Sequence, residues 1–409
     1  ILMTETLSIY IHDPFCKSKC CYCDFFSRTD LTELADSYVN ALCNEISFYA
    51  GQSDYALSTL YIGGGTPSLL SLESLNKILS CITENFKIIS DDFEGTIELN
   101  PDDVSESLMS FIENSILTRI SLGIQSLKSE TLLKMNRRSS RITCLNALEL
   151  IKKNFSKRFS ADLIAGFPGE TQKDLADSIY ELLRYEPEHI SLYSLCVEEK
   201  TPLFDMIALK KICYNQDYAD ECWLAGKEIL KNSGFIQYEI SNFARNKKAF
   251  SRHNLTYWHL EHYLGFGSGA ASSIYDYKGG QSFRYSNTCN IGSYISFWNN
   301  HDNIQKLKKS AVKTLGLSGL IPAEFEKLDR KTEEFEFFMM NLRLDEGFSK
   351  NEYKRRFGKP VSDKLNSDSG VFAEWQKKGL AEICHSDYDD YYRLKEKGLL
   401  YLNLIFEKI

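Results

Sequence analysis

Cys16, Cys20 and Cys23 stand in a C-x3-C-x2-C spacing directly after the apolar run Leu7-Ser8-Ile9-Tyr10-Ile11. Three thiolates from one short loop are one fewer than a 4Fe–4S cluster usually takes from protein. One iron is then left with an open position at which a small molecule can bind and react. The same stretch also reads as a zinc site, with His12 as fourth ligand in H-x3-C-x3-C-x2-C, because zinc takes these ligand types tetrahedrally. Soft thiolate donors favour the cluster.

Other residues able to do chemistry follow at intervals. Gly63-Gly64-Gly65-Thr66-Pro67 would let backbone approach a ligand closely and present N–H groups to an anion such as a carboxylate. Glu98-Leu99-Asn100-Pro101 offers a carboxylate, Gln125-Ser126 a neutral amide, and Asp162 an acid before the tight turn Gly166-Phe167-Pro168-Gly169. Taken singly, each also reads as an ordinary turn, cap or solvated loop residue.

The elements that must position these groups are short apolar runs alternating with amphipathic helices, the βαβ pattern of a parallel sheet. Leu7–His12, Leu57–Ile62, Thr96–Leu99, Arg119–Gly123, Ala161–Ala165 and His189–Leu195 read as strands. Ser71 reads as the N-cap of a helix carrying Leu72, Leu75, Leu79 and Ile82, and Thr171 with Asp174 as a capping box. A helix over 217–232 should stop before Gly234. Cys16, Gly64, Glu98, Gln125, Asp162 and Tyr193 all fall at or just past the C-terminal ends of the strands. Barrel active sites are built at that face. The expected fold is therefore α/β, a partial (β/α)6 TIM-like barrel.

Beyond about residue 245 the rhythm changes. Residues 250–300 are rich in Gly, Tyr, Ser and Asn and read as loops and short strands. Helices return with an apolar stripe of Phe335, Phe338, Met339 and Leu342, followed by a hairpin across Ala381–Leu394 and a last helix near 395–406. That order suggests a mainly helical, winged-helix-like domain. The expected division is a barrel over 1–245 with the cluster and its cofactor site, an extension over 246–305, and the C-terminal domain over 306–409.

The net charge of −8, from 56 acidic against 48 basic residues, argues against a nucleic-acid partner. Asp387, Asp389 and Asp390 near the wing would repel phosphate. No run of about 18 apolar residues is present, so no membrane span is expected. The opening residues lack the basic and apolar regions of a secretory signal. The remaining cysteines, among them Cys43, Cys81, Cys144 and Cys289, show no pairing rhythm, which suits a reducing cytoplasm.

The cysteine loop, with Tyr22 before its last cysteine, and Gly63–Pro67 together resemble the radical S-adenosylmethionine superfamily. In that superfamily the cofactor's amine and carboxylate chelate the open iron, and reductive cleavage of the sulfonium gives a 5′-deoxyadenosyl radical. Ordered motifs extend the resemblance over about residues 8–300 to the anaerobic coproporphyrinogen III oxidase-like group. They include Arg119–Ser126, Asp162–Gly169, Ser191–Leu195, Gly234–Ala244, His253–Trp258 and Tyr263–Gly269. Within the group, the oxidase proper carries a fourth cysteine two residues after the third and a longer N-terminal arm. Here Asp24-Phe25 follow Cys23 and fifteen residues precede Cys16, as in the heme-chaperone branch (HemW).

The resemblance implies a 4Fe–4S cluster on Cys16, Cys20 and Cys23 and S-adenosylmethionine contacts from Tyr10, Tyr22, Gly64, Gly65, Thr66, Glu98, Gln125, Arg137 and Asp162. It also implies heme near His253-Asn254-Leu255-Thr256-Tyr257-Trp258, with little or no turnover of S-adenosylmethionine. Histidine is a usual axial ligand and aromatics stack on a macrocycle. Equally, His253 could hydrogen-bond within a loop while Tyr257 and Trp258 pack in the core. Departures from the group's pattern are Cys21, which makes a vicinal pair with Cys20, Arg138-Ser139-Ser140 after Arg137, and Ser272. The expected function is heme delivery to an acceptor hemoprotein, with an electron donor as second partner. It is compatible with a membrane-associated acceptor and with a homodimer. Oxidative decarboxylation of coproporphyrinogen III is the alternative activity, and a zinc-stabilised adaptor the alternative of another class.

Overall fold

The computed structural model describes residues 6–51, 55–88, 92–276, 281–309, 321–365 and 370–408. Residues 1–5, considered above for a secretory leader, lie outside them. Strands β1 (Thr6–Asp13), β2 (Ala56–Gly64), β3 (Glu94–Leu99), β4 (Arg119–Gln125), β5 (Arg158–Ala165) and β6 (His189–Ser194) lie side by side in that order. Every neighbouring pair among them is parallel. Helices between them include α1 (Ala35–Ala50), α2 (Leu72–Asn85), α3 (Glu106–Glu113), α4 (Ser129–Lys134), α5 (Arg141–Asn154) and α6 (Gln172–Leu183). The expected partial barrel is the observed architecture.

Its boundaries follow local chemistry. Ser71 Oγ accepts the Ser74 N–H at 3.0 Å to start α2, and Thr171 and Asp174 form a reciprocal capping box at α6. Past β6 come α7 (Pro202–Ala208) and α8 (Gln216–Asn232), after which Gly234 turns the chain at φ +84°.

Each barrel strand alternates with period two. Ile97, Ile120, Leu122, Ala161, Leu163, Ile190 and Leu192 are fully buried and join helix residues such as Ile78, Met109, Leu148 and Ile179 in one apolar core. Burying each large aliphatic side chain contributes about 1.5–3 kcal/mol. The intervening residues Thr96, Glu98, Arg119, Ser121, Ser160, Asp162, His189 and Ser191 instead line the barrel's interior cavity. The aliphatic set holds the barrel together, and the polar set is free to make a site.

The sheet stays open rather than closing. On one side β6 pairs antiparallel with β7 (Asn242–Ala244). On the other, β1 pairs in parallel with β8 (Tyr263–Phe266), and the antiparallel β9 (Ala271–Ile274), β10 (Ser282–Asn287) and β11 (Ala323–Leu328) continue the same sheet. Ser272, one of the departures noted above, sits in β9, where its Oγ accepts the Gly265 N–H at 2.8 Å. Residues 250–300 also carry two helices that loop-like composition concealed, α9 (Arg252–Trp258) and α10 (Ile291–Trp298). Ser251 and Asn290 cap them, accepting backbone N–H groups of Asn254 and Ser293.

A second core gathers the C-terminal residues around Phe337, Phe338, Tyr353, Phe372 and Trp375, beside a three-stranded antiparallel sheet that includes the hairpin Ala381–His385 and Asp390–Leu394. The helix Arg330–Asn341 buries Phe337, Phe338 and Asn341, whereas Phe335, expected on the inner stripe, is 40% exposed. The helical phase set by Glu334, Phe337, Phe338 and Asn341 turns Phe335 outward. The expected last helix is two short ones, Glu396–Leu399 and Leu402–Phe406. Among the described residues, no helix is long and apolar enough to cross a membrane.

Candidate cofactor site

The C-terminal ends of the strands surround one cavity of about 400 Å³, within the ~300–1,000 Å³ of small-molecule sites. Cys16, Cys20, Tyr22 and Cys23 line it from the loop after β1. Gly64, Gly65 and Thr66 line it after β2, and Glu98, Gln125, Arg137 and Asp162 from the next three strands and their loops. Eleven of the thirteen residues singled out for cluster and cofactors therefore share one space. Tyr10 and His253 do not line it.

In the cysteine loop, Cys16 Sγ lies 3.4 Å from Thr66 Oγ1 and Cys20 Sγ 3.5 Å from Arg137 Nη1. Burial pushes the Cys16 thiol up and that of Cys23 to about 11. Cys21 points the other way: its Sγ donates to the Lys134 carbonyl at 3.4 Å, and it packs with Met135, Phe167 and Leu203. The vicinal pair is thus divided between site and core.

His12 is not placed as a zinc ligand. Its Nε2 is 2.8 Å from the Phe26 carbonyl and its Nδ1 2.9 Å from the Tyr10 hydroxyl, so both ring nitrogens are engaged. Three thiols on one loop that line a common cavity, with hydrogen-bond partners at two of the sulfurs, suit a cluster held by three cysteines.

The glycines do a different task from the one expected. Their N–H groups are taken up within the chain and not left for an outside ligand: Gly64 N donates to the Glu98 carboxylate, Oε2, at 3.2 Å and Gly65 N to the Asp13 carbonyl at 2.6 Å. What they permit is close packing. A Cβ on Gly64, which sits at φ +113°, would fall 2.6 Å from His12 Nδ1, and one on Gly65 would fall 2.6 Å from the Phe15 carbonyl oxygen. Small residues here bring β2 tight against the cysteine loop.

Glu98 is held by the Tyr61 hydroxyl, which donates at 2.7 Å, and burial still raises its carboxyl to about 7. Asp162, raised by burial as well, accepts from Ser121 Oγ at 3.0 and 3.2 Å. Gln125 sits at φ 65°, where the register of β4 against β5 slips. Arg137 Nη2 donates to the Gly123 carbonyl at 2.6 Å and to Asn100 Oδ1 at 2.8 Å, while its buried Nε has no hydrogen-bond partner among the described residues. The Arg138-Ser139-Ser140 departure supports this arrangement. Ser139 donates to Asn100 Oδ1 at 3.2 Å, Arg138 pairs with Asp103 at 2.9 Å, and Ser140 caps α5.

The two residues outside the cavity have partners of their own. Tyr10 spends its hydroxyl on His12. His253 is 1% exposed, with Nδ1 2.7 Å from Thr59 Oγ1 and Nε2 2.8 Å from the Tyr257 hydroxyl, and its ring stacks on Tyr61 at 5.0 Å. Desolvation lowers it to about 3, so it is a neutral imidazole. In this conformation neither nitrogen is open to a heme iron. Reading the sequence also missed Tyr61 and the polar interior below Glu98 and Asp162. The signal was the i, i+2 alternation Thr96/Glu98, Arg119/Ser121, Ser160/Asp162 and His189/Ser191 within otherwise apolar strands.

The chain matches the Radical SAM superfamily over residues 10–182 and the HemN C-terminal domain over 328–401. It is 31% identical to the heme chaperone HemW of Bacillus subtilis, over 98% of both chains. It is 30% identical to the heme chaperone HemW of Haemophilus influenzae, over 98% of this chain and 97% of that one. A zebrafish protein, radical S-adenosyl methionine domain-containing protein 1, mitochondrial, is 33% identical over 64% of this chain and 60% of its own length. Among solved structures, coproporphyrinogen III oxidase (HemN) from Escherichia coli superposes with a TM-score of 0.76, at 20% identity, over 99% of this chain and 90% of that one. That likeness establishes a shared fold.

Proposed function

Because the chain belongs to the heme chaperone HemW family of the radical SAM superfamily, we propose that it binds heme and delivers it to acceptor hemoproteins, with a 4Fe–4S cluster and S-adenosylmethionine as its cofactors. The observation that carries this reading is the end-to-end match to a heme chaperone, at 31% identity over 98% of both chains. The shared cavity of Cys16, Cys20 and Cys23 with the expected S-adenosylmethionine contacts supports the cofactors.

In this reading the three thiols hold the cluster, with Thr66 and Arg137 as partners of two sulfurs. Tyr22, Gly64, Gly65, Thr66, Glu98, Gln125, Arg137 and Asp162 surround the S-adenosylmethionine, and Tyr10 acts at one remove through His12. When bound, the reduced cluster supplies an electron able to cleave the sulfonium's carbon–sulfur bond. Tyr61 fixes Glu98, and the Arg137 Nε is a spare buried donor suited to a carboxylate. His253 is the proposed heme ligand, reached after its ring gives up Tyr257.

An acceptor hemoprotein and an electron donor are the partners this function requires, and a reducing cytoplasm suits twelve free cysteines. Light scattering tests the proposed homodimer. The deciding experiment incubates anaerobically reconstituted protein with heme and an apo-hemoprotein, and separately with coproporphyrinogen III, S-adenosylmethionine and reductant. Heme transfer without decarboxylation is expected, and rapid protoporphyrinogen formation would overturn the chaperone reading. Stoichiometric zinc without acid-labile sulfide would remove the cluster.

A further inference from the structure

The cavity continues inward past Glu98 and Asp162 to the barrel floor, where Arg119 and Thr96 line it. Arg119 is 2% exposed and Thr96 fully buried. Arg119 Nη1 donates to the Ala249 carbonyl at 2.9 Å, but its Nη2 has no hydrogen-bond partner among the described residues, and neither has Thr96 Oγ1. Orphaned buried donors are costly, each by about 1–3 kcal/mol, and a guanidinium more so. Two such donors lining the same cavity point to a group that is meant to satisfy them.

The charges around these donors are largely paired. Glu94 Oε2 lies 3.7 Å from Arg119 and 3.2 Å from Arg158, so one carboxylate serves two guanidinium groups. His189, which also lines the floor, has Nδ1 2.7 Å from Ser160 Oγ and Nε2 2.8 Å from the Tyr238 hydroxyl, and burial keeps it neutral. Asp162 is a second carboxyl that feels Arg119, so what calls for acceptor oxygens here is the pair of unanswered donors and not a surplus of charge. Ser121 adds no donor, since its hydroxyl is directed at Asp162. An anion with two acceptor oxygens matches one guanidinium N–H and one hydroxyl.

We propose that the inner end of this same cavity is a second ligand subsite, beyond the S-adenosylmethionine contacts, in which Arg119 Nη2 and Thr96 Oγ1 bind the carboxylate of a small organic acid. The two donors lie within β3 and β4, so the site stands whether or not the chain delivers heme.

The test uses ¹³C-labelled propionate and full-length anaerobic protein, followed by saturation-transfer NMR. Expected are saturable binding, competition by acetate but not by chloride, and persistence with S-adenosylmethionine at saturation. Thr96→Val, nearly isosteric, should weaken binding several-fold with an unchanged unfolding temperature. Arg119→Lys should weaken it further while retaining the charge. Three results would each overturn the proposal: no saturable binding, equal binding by both variants, or displacement of propionate by S-adenosylmethionine or equally by chloride. Should Arg119→Lys fold poorly, the Thr96→Val comparison decides.

Discussion

Arg137 reaches the sulfur of Cys20: its Nη1 stands 3.5 Å from Sγ, while Nη2 is fixed on the Gly123 carbonyl and Asn100 Oδ1. One guanidinium thus joins the cysteine loop to the mouths of β3 and β4. Hydrogen bonds to cluster sulfurs tune reduction potential, because they stabilise the more negative reduced state. Arg137→Met should lower the midpoint of the reconstituted cluster by on the order of tens of millivolts. A redox titration followed by electron paramagnetic resonance reads this. An unmoved potential would mean that Arg137 serves only the backbone.

The Tyr257 hydroxyl lies 2.8 Å from His253 Nε2, the nitrogen that the proposed heme ligand would offer to iron. Tyr257→Phe removes that hydrogen bond, worth about 1 kcal/mol, and should tighten heme binding roughly fivefold. His253→Ala should abolish the axial-ligand signature in the Soret band. An unchanged spectrum in the alanine variant would take His253 out of the heme site.

Gly65 leaves no room for a side chain, since a Cβ there meets two backbone oxygens, those of Phe15 at 2.6 Å and Asp13 at 2.9 Å. Backbone cannot yield cheaply, so Gly65→Ala should push the cysteine loop away from β2. The expected result is loss of most iron and sulfide per chain after reconstitution, with far-ultraviolet circular dichroism retained. Full cluster content in the variant would contradict the packing argument.

Glu45 on α1 clamps the chain beyond β8, accepting from Gly267 N at 2.9 Å, from Asn287 Nδ2 at 2.7 Å and from the Tyr294 hydroxyl. Burial nonetheless raises its carboxyl to about 7, and Glu239 is raised to about 7 in the same way. In the unfolded chain a glutamate titrates near ~4.3. Between these values the folded state keeps a proton that the unfolded state has released, so stability falls as pH rises. The contribution is complete below about pH 4 and lost once pH has passed 7. Taken alone, Glu45 and Glu239 raise the unfolding temperature near pH 5 relative to pH 8. The buried neutral His189 and His253 act in the opposite direction below about pH 6.5, so the contribution of Glu45 is read from a variant compared with the parent. Glu45→Gln should flatten that slope while lowering stability throughout.

Much of the site was legible in the sequence because parallel strands put their C-terminal ends on one face. Once Leu7–His12, Thr96–Leu99 and Ala161–Ala165 are read as strands, Cys16, Glu98 and Asp162 must meet there. Caps were legible too, since Ser71 and the Thr171/Asp174 pair act within a single turn. The C-x3-C-x2-C spacing takes in Cys20 and passes over Cys21, and the two sulfurs meet different partners, Arg137 and the Lys134 carbonyl.

What the sequence by itself determined was local: strand and helix order, caps, a three-thiol loop, and residues gathered at the strand ends. Only the tertiary structure decided how long-range partners compete for the same atoms. The Gly64 and Gly65 N–H groups go to Glu98 and Asp13, and His253 lies between Thr59 and Tyr257, nearly 200 residues away from the former. The orphaned donors of Arg119 and Thr96 likewise appear only when strands distant in sequence enclose one interior. Hydrogen-bond satisfaction is a property of the packed whole, and the periodicity of a chain cannot assign it.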